Sequence, residues 1–288
     1  MSEALIAEAR KKFHRRLIEN GVLTVSENGT VSNADSSSAS SKAVALRTAE
    51  IIANRCRCRL HVVNKPAGQT LGRQFEVHVA DFLSGTFLEL GNIRPGKWGI
   101  ACPGLGVSTF AQYEHLAELS SLISDNPQLA AALGNDYVIA PDIVIYRERY
   151  TDDELNVCGL IVNRTSALAS DLRDINGTSP VLHAVISAKY TMRSDRAQNS
   201  RTEALNLIRN RKGHLPHIAV VTAEPMPGRL ASLALGTGDI DCVYHFALYE
   251  LAEAVKEHGS DDSAEMLDTL IHGKRLKDIS DLPLDLAV

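Results

Sequence analysis

The chain has 288 residues, 44% of them hydrophobic and 23% charged, a balance suited to a globular fold with a full core. With only 5% aromatic residues it is a poor match for a protein that stacks single-stranded bases, and no apolar run approaches the ~20 residues of a membrane span. The net charge of −5 gives no global sign of a nucleic-acid partner, yet such a partner needs only a local basic footprint.

Residues 2–20 read as a helix, with Leu5, Ala9, Phe13 and Leu17 on one face and Gly21 as its stop. The same stretch is charged throughout and lacks the apolar core of a signal peptide. Residues 33–41 form a serine-rich polar loop, equally readable as a flexible linker. A second helix is expected over residues 42–54. After the break at Pro66-Ala67-Gly68, a third is expected over 73–90, with Phe75, Val79 and Phe82 buried. A fourth covers 112–133, interrupted near Pro127.

The middle of the chain turns β-rich, at residues 137–146, 181–186 and 217–222. Helical spacing at Ala197, Ala204, Leu205 and Ile208 places a helix between the last two strands, and residues 246–258 and 264–272 read as closing helices. Strands bracketing a helix imply an α/β fold, a mixed central sheet flanked by helices, with residues 1–288 as one domain and no internal repeat. Five cysteines (Cys56, Cys58, Cys102, Cys158, Cys242) at irregular spacing point to reduced thiols in the cytoplasm rather than a disulfide framework. Cys56-Arg57-Cys58 is too tightly spaced for a zinc knuckle.

Pro141-Asp142 falls inside an apolar run, where a carboxylate is costly unless it is paired or binds a metal. Proline there implies a bulge or an edge, or else a strand end with a solvated aspartate. The strand over 181–186 runs into Ser187-Ala188-Lys189, and Glu203 follows on the expected helix. Taken singly, Lys189 and Glu203 read as a snorkelling lysine and a solvated acid. Together, Asp142, Lys189 and Glu203 suit phosphodiester cleavage, in which carboxylates clamp a divalent cation beside the scissile phosphate. Glu76, next to the buried Phe75, is a candidate further acid. An acid followed by a strand-borne lysine resembles the PD-(D/E)XK nuclease superfamily. Ser187 departs from that pattern, since most members carry an acid there, and Glu203 would replace it.

Residues 189–212 hold seven basic side chains against two acids, a net +5 that reads either as a nucleic-acid footprint or as a solvated helix face. Within them, Arg193, Asp195 and Arg196 have the chemistry of base readers: an arginine fork fits guanine O6 and N7, and a carboxylate accepts from cytosine N4. Gly236-Thr237-Gly238 lacks the spacing of a dinucleotide loop, so no small-molecule cofactor is expected. His214 and His217 flank Pro216 and read as loop residues rather than metal ligands.

Longer segments carry a more specific resemblance: RSDRAQN, LNLIRNRKG, LPHIAVVTAEP, ALGTGDIDCVYHFALYEL and KRLKDISDLPLDLAV, with VSNAD, PAGQT, IRPGKW and LAAALGNDY upstream. On these the chain resembles the NgoMIV-like, CCGG-cutting type II restriction endonucleases. The resemblance implies Mg²⁺-dependent cleavage of double-stranded DNA, with Asp142, Lys189, Glu203 and Glu76 as the catalytic and metal-binding set and the Ala188 carbonyl as a further ligand. It implies inner-base reading by Arg193, Asp195 and Arg196, outer-base reading by Gln69, Arg229 and Ser37, the target GCCGGC cut after the first G, and a homodimer or homotetramer. Two other readings keep parts of this pattern. A nuclease with a repair role needs no base reader, and a non-catalytic DNA-binding protein needs no acid-lysine set.

Overall fold

Helix α1 (Leu5–Glu19) buries Phe13, Leu17 and Ile18 along one stripe, and Gly21, at φ +71°, turns the chain where a side chain would be strained. Leu5, expected on the same buried stripe, stays half exposed. The computed structural model describes residues 3–63, 68–124, 128, 139–192, 194–236 and 238–288. The serine-rich stretch after α1 is anchored rather than a linker. Asn33 and Ala34 are buried, and Asn33 Nδ2 donates to the Ala223 carbonyl at 2.7 Å. Ser38 then caps α2 (Ala39–Cys56), accepting from Ser41 N–H, so this helix starts inside the serine run.

Helix α3 (Gly68–Ser84) buries Phe75, Val79 and Phe82 as expected but ends at Ser84, and a 3-10 turn at Phe87–Glu89 replaces its expected last turn. Of the fourth expected helix, α4 spans His115–Ser124; residues 125–127 and 129–138 lie outside the described residues.

Six strands make one mixed sheet in sequence order: β1 (Trp98–Ala101), β2 (Ile143–Arg147), β3 (Val181–Lys189), β4 (His217–Thr222), β5 (Cys242–His245) and β6 (Leu276–Asp278). The pairs β1–β2 and β2–β3 are antiparallel; β3 to β6 run parallel. Helix α5 (Ser194–Asn210) makes the β3-to-β4 crossover. Helices α6 (Pro227–Ala234), α7 (Leu248–His258) and α8 (Asp261–His272) complete the chain's helical layers.

Both faces of the sheet are covered. Ile143, Ile145, Ile186 and Val221 join a core shared with α1, α2 and α3, while Val144, Val185, Val220 and Val243 join one shared with α4 to α8. That is why the central strands read as nearly continuous apolar runs. The β2–β3 register skips His183, a bulge that puts Leu182 and Val185 in the same core.

Two expectations change here. β2 begins at Ile143, so Pro141 and Asp142 precede the strand instead of interrupting it, and proline's missing N–H costs the ladder nothing. His217, read both as a loop residue and as the start of the strand over 217–222, is the first residue of that strand, β4. Among the described residues no helix is long and apolar enough to cross a membrane.

Candidate active site

Antiparallel pairing sets the start of β2 beside the end of β3. With Ile143 opposite Ile186, the residue before the first faces the residues after the second. Asp142 therefore meets Ser187, Ala188 and Lys189. Its Oδ2 accepts from Ala188 N–H at 2.8 Å, from Lys189 Nζ at 2.7 Å and from Ser187 Oγ at 3.4 Å. The backbone of Asp142 is fixed from the other side, where Gly104 N–H donates to its carbonyl at 2.9 Å. A Cβ on Gly104 would lie 2.3 Å from the Pro141 carbonyl oxygen, so only glycine permits this approach.

Helices α3 and α5 wall the cleft above that strand end. Its cavity of about 340 Å³ is lined by Gln69, Arg73 and Glu76 of α3, by Lys189, and by Asn199 and Glu203 of α5. The carboxyls of Glu76 and Glu203 are both pushed above the usual range, first by burial and then by the charge of Asp142, with Lys189 pulling the other way. Three acids thus face one lysine already paired to Asp142, with Arg73 adding a smaller pull on Glu76 alone. Such an excess of hard oxygen donors fits a divalent cation of the Mg²⁺ type. Among the described residues no three His, Cys, Asp or Glu side chains form a ligand cage by themselves, so a cation here would complete its shell with backbone oxygen or water. Ala188 supplies such an oxygen: N–H and C=O of one strand residue lie on the same edge, and this N–H already points at Asp142.

A second cluster gathers two of the expected outer-base residues. Ser37 N–H and Oγ both donate to Asp35 Oδ1, at 3.0 and 2.6 Å, and Arg229 pairs with Asp35 Oδ2. Those contacts hold the Asp35 carboxyl well below its ordinary range, the Ser37 hydroxyl first and Arg229 next. Gln69 stands apart from this pair, in the cleft with Glu76. Arg193 lies outside the described residues, as do the side chains of Asp195 and Arg196; α5 begins at Ser194, which puts the backbone of Asp195 and Arg196 in its first turn.

The basic footprint is not all available to a ligand. Arg201 donates to the carbonyls of Ser232, Leu233 and Leu235 at the end of α6. Sequence reasoning missed Arg73, Asn199 and Asp35. Spacing could have found the first two: Arg73 is three residues from Glu76, and Asn199 four from Glu203, each one turn along its helix.

The family model described as NgoMIV restriction enzyme matches residues 13–288. The type II restriction enzyme NgoMIV of Neisseria gonorrhoeae is 46% identical over 288 residues, covering 99% of each chain. Among solved structures, a PspGI restriction endonuclease–substrate DNA complex covers 98% of this chain and 92% of that one, at 14% identity and TM-score 0.31. The type IIF restriction endonuclease Bse634I with cognate DNA covers 90% and 92%, at 16% identity and TM-score 0.34. Identity at nearly half of all positions, under a family match that reaches the last residue, settles the affiliation: the chain belongs to the NgoMIV family of type II restriction enzymes.

Proposed function

We propose that the chain hydrolyses both strands of duplex DNA at a CCGG-centred palindrome, GCCGGC cut after the first G, with Mg²⁺ as its metal. The observation that carries this is the under-compensated cleft, where Glu76 and Glu203 are pushed toward protonation beside Asp142 although Lys189, and for Glu76 also Arg73, pull the other way. Asp142, Glu203 and the Ala188 carbonyl would hold the cation, with Glu76 as a further acid. When bound, the cation lowers the pKa of water and neutralises charge on the scissile phosphate. Lys189 Nζ, fixed by Asp142 at 2.7 Å, holds the attacking water as an ammonium donor and offsets charge on the phosphate; it could take the water's proton only after losing one of its own.

Arg193, Asp195 and Arg196 read the inner C and G edges; Gln69, Arg229 and Ser37 read the outer pair. A palindrome calls for two copies related by a two-fold axis, so the working unit is at least a homodimer. Assembly to a homotetramer is supported by the excursion between β2 and β3. There Val157, Leu160, Ile161, Leu168 and Ile175 are 63–79% exposed. The excursion is nonetheless ordered: Arg173 pairs with Asp152 at 2.6 Å, and Arg149 Nε donates to the Ser179 carbonyl at 2.5 Å. Apolar side chains held outward on a fixed frame suit a second copy. We read residues 1–288 as one domain, because one core draws on residues from Phe13 to Leu286.

The test is digestion of a plasmid of known sequence with purified protein and Mg²⁺, mapping the ends. Cuts confined to GCCGGC are expected. Cuts at other CCGG-containing sites would overturn the outer readers alone, and folded protein that cuts nothing would overturn the catalytic assignment.

A further inference from the structure

Beyond the end of β4 the chain continues as Ala223 and Glu224, both fully buried, and three segments assigned to base reading hang from these two residues. Glu224 Oε2 accepts from Met192 N–H at 2.9 Å, and Met192 is the residue directly before Arg193. Its Oε1 accepts from Met226 N–H at 3.2 Å, at the N-cap of α6, the helix that carries Arg229. The same oxygen lies 3.7 Å from Arg229 Nη1, which also donates to the Met192 carbonyl at 3.4 Å. Arg229 in turn pairs with Asp35, which holds Ser37. The Ala223 carbonyl takes Asn33 Nδ2, tying down the start of that loop.

We propose that Glu224 is a positioning residue that fixes the spacing between the inner and outer base readers. This rests on the reader assignment above. Glu224 does not line the catalytic cleft, so its role is not to hold the metal. A fully buried carboxylate is costly unless donors satisfy it, and here two backbone N–H groups from segments 34 residues apart point at its two oxygens. A carboxamide has one acceptor oxygen and would turn its own N–H toward one of those donors. A carboxylate is thus the group that can accept from both at once.

The nearly isosteric Glu224→Gln isolates this role. We would measure kcat/KM on the GCCGGC duplex, on duplexes altered at one outer pair and on duplexes altered at one inner pair, with kcat at saturating DNA and Tm alongside. We expect kcat on GCCGGC to stay within about threefold of wild type, as for a residue outside the reacting set. Discrimination should fall roughly tenfold at outer and inner positions together, about the effect of losing one hydrogen bond to a charged acceptor. A lower Tm with discrimination unchanged would overturn the proposal and leave Glu224 a core residue only. Loss confined to the outer pair would overturn the coupling and leave Glu224 a partner of Arg229 alone. Wild-type protein run in parallel separates the two ideas, since absence of discrimination there overturns the reader assignment itself. Should the glutamine variant fail to fold, Glu224→Asp keeps the charge but is too short to span both donors, and the same readings apply.

Discussion

The molecule buries carboxylates in two places and treats them in opposite ways. Where α1, α7 and β6 meet, Glu250 and Asp278 are fully buried and matched by donors: Arg10 reaches Glu250 at 2.6 Å and Asp278 at 2.8 Å, Arg55 reaches Glu250 at 2.7 Å, and Leu248 N–H reaches Asp278 at 2.9 Å. Burial alone would raise the Glu250 carboxyl, but the Arg10 and Arg55 hydrogen bonds with the charges of His14 and Arg10 outweigh it and hold it down at about 2. In the cleft the balance is reversed. Glu76 and Glu203 are pushed up, by burial first and then by Asp142. Burial is the same expense in both places; the hub supplies its own cations, and the cleft supplies fewer than its acids, as the proposed cation site requires.

The largest expected effect tests the cleft side of this contrast. Lys189→Ala should slow single-turnover cleavage by about 10²–10⁴-fold, the range a positioned proton-transfer group supplies, and Asp142→Ala should be at least as severe. Both should still retain the GCCGGC duplex in a gel-shift assay. Normal turnover by either variant would remove that residue from the catalytic set.

Glu250→Ala probes the hub. Leaving Arg10 part-buried without one of its acids should cost about 3–5 kcal/mol in urea unfolding, while cleavage per folded molecule stays unchanged. A loss under 1 kcal/mol would mean the hub is a solvated pair, against the scale of about 0–1 kcal/mol for such pairs.

Acid separates the contributors in order. His14, His183 and His245 are each lowered to about 4, burial being the main cause. Between the ordinary value of 6.5 and about 4 the unfolded chain binds protons that the folded chain does not, so stability falls as pH drops through that window. Glu250 acts lower: its contribution is complete above 4.5 and lost as pH falls toward about 2. His14 donates to the Phe246 carbonyl at 2.7 Å, a bond glutamine can imitate. His14→Gln should therefore flatten the urea midpoint between pH 6.5 and 4, and an unchanged slope would assign the loss elsewhere.

The smallest effect is on the stability of the metal-free protein with Glu203→Gln. Removing a charge that burial and Asp142 disfavour should leave its stability equal or slightly higher, by less than about 1 kcal/mol, while raising the Mg²⁺ concentration needed for cleavage. A destabilised variant would show that Glu203 is paired after all.

How much of this was legible follows the reach of each interaction. Strands β3 and β4 read well because both faces are buried and their apolar runs are long. Trp98–Ala101, Cys242–His245 and Leu276–Asp278 were missed, being too short to show a period. Asp142, Lys189, Glu203 and Glu76 were legible as residue types, and the fold brings them to one cleft. The start of β2 after Asp142 was not, because it depends on Gly104 approaching from another strand's continuation. Glu224 carries no signal of its own in the sequence, because its partners are backbone groups that no side-chain pattern announces.

The extra residue in β3, His183, lies between the two ends of the β2–β3 ladder. On one side of it, Ile143 to Ile145 face Ile186 to Ala184 in regular register and fix Asp142 against Lys189; on the other, the chain leaves at Arg147 and returns at Val181. Residues added to or deleted from the excursion change only what lies past that irregularity. The length of the excursion, with its outward apolar surface, can therefore change while Asp142 keeps its place against Lys189.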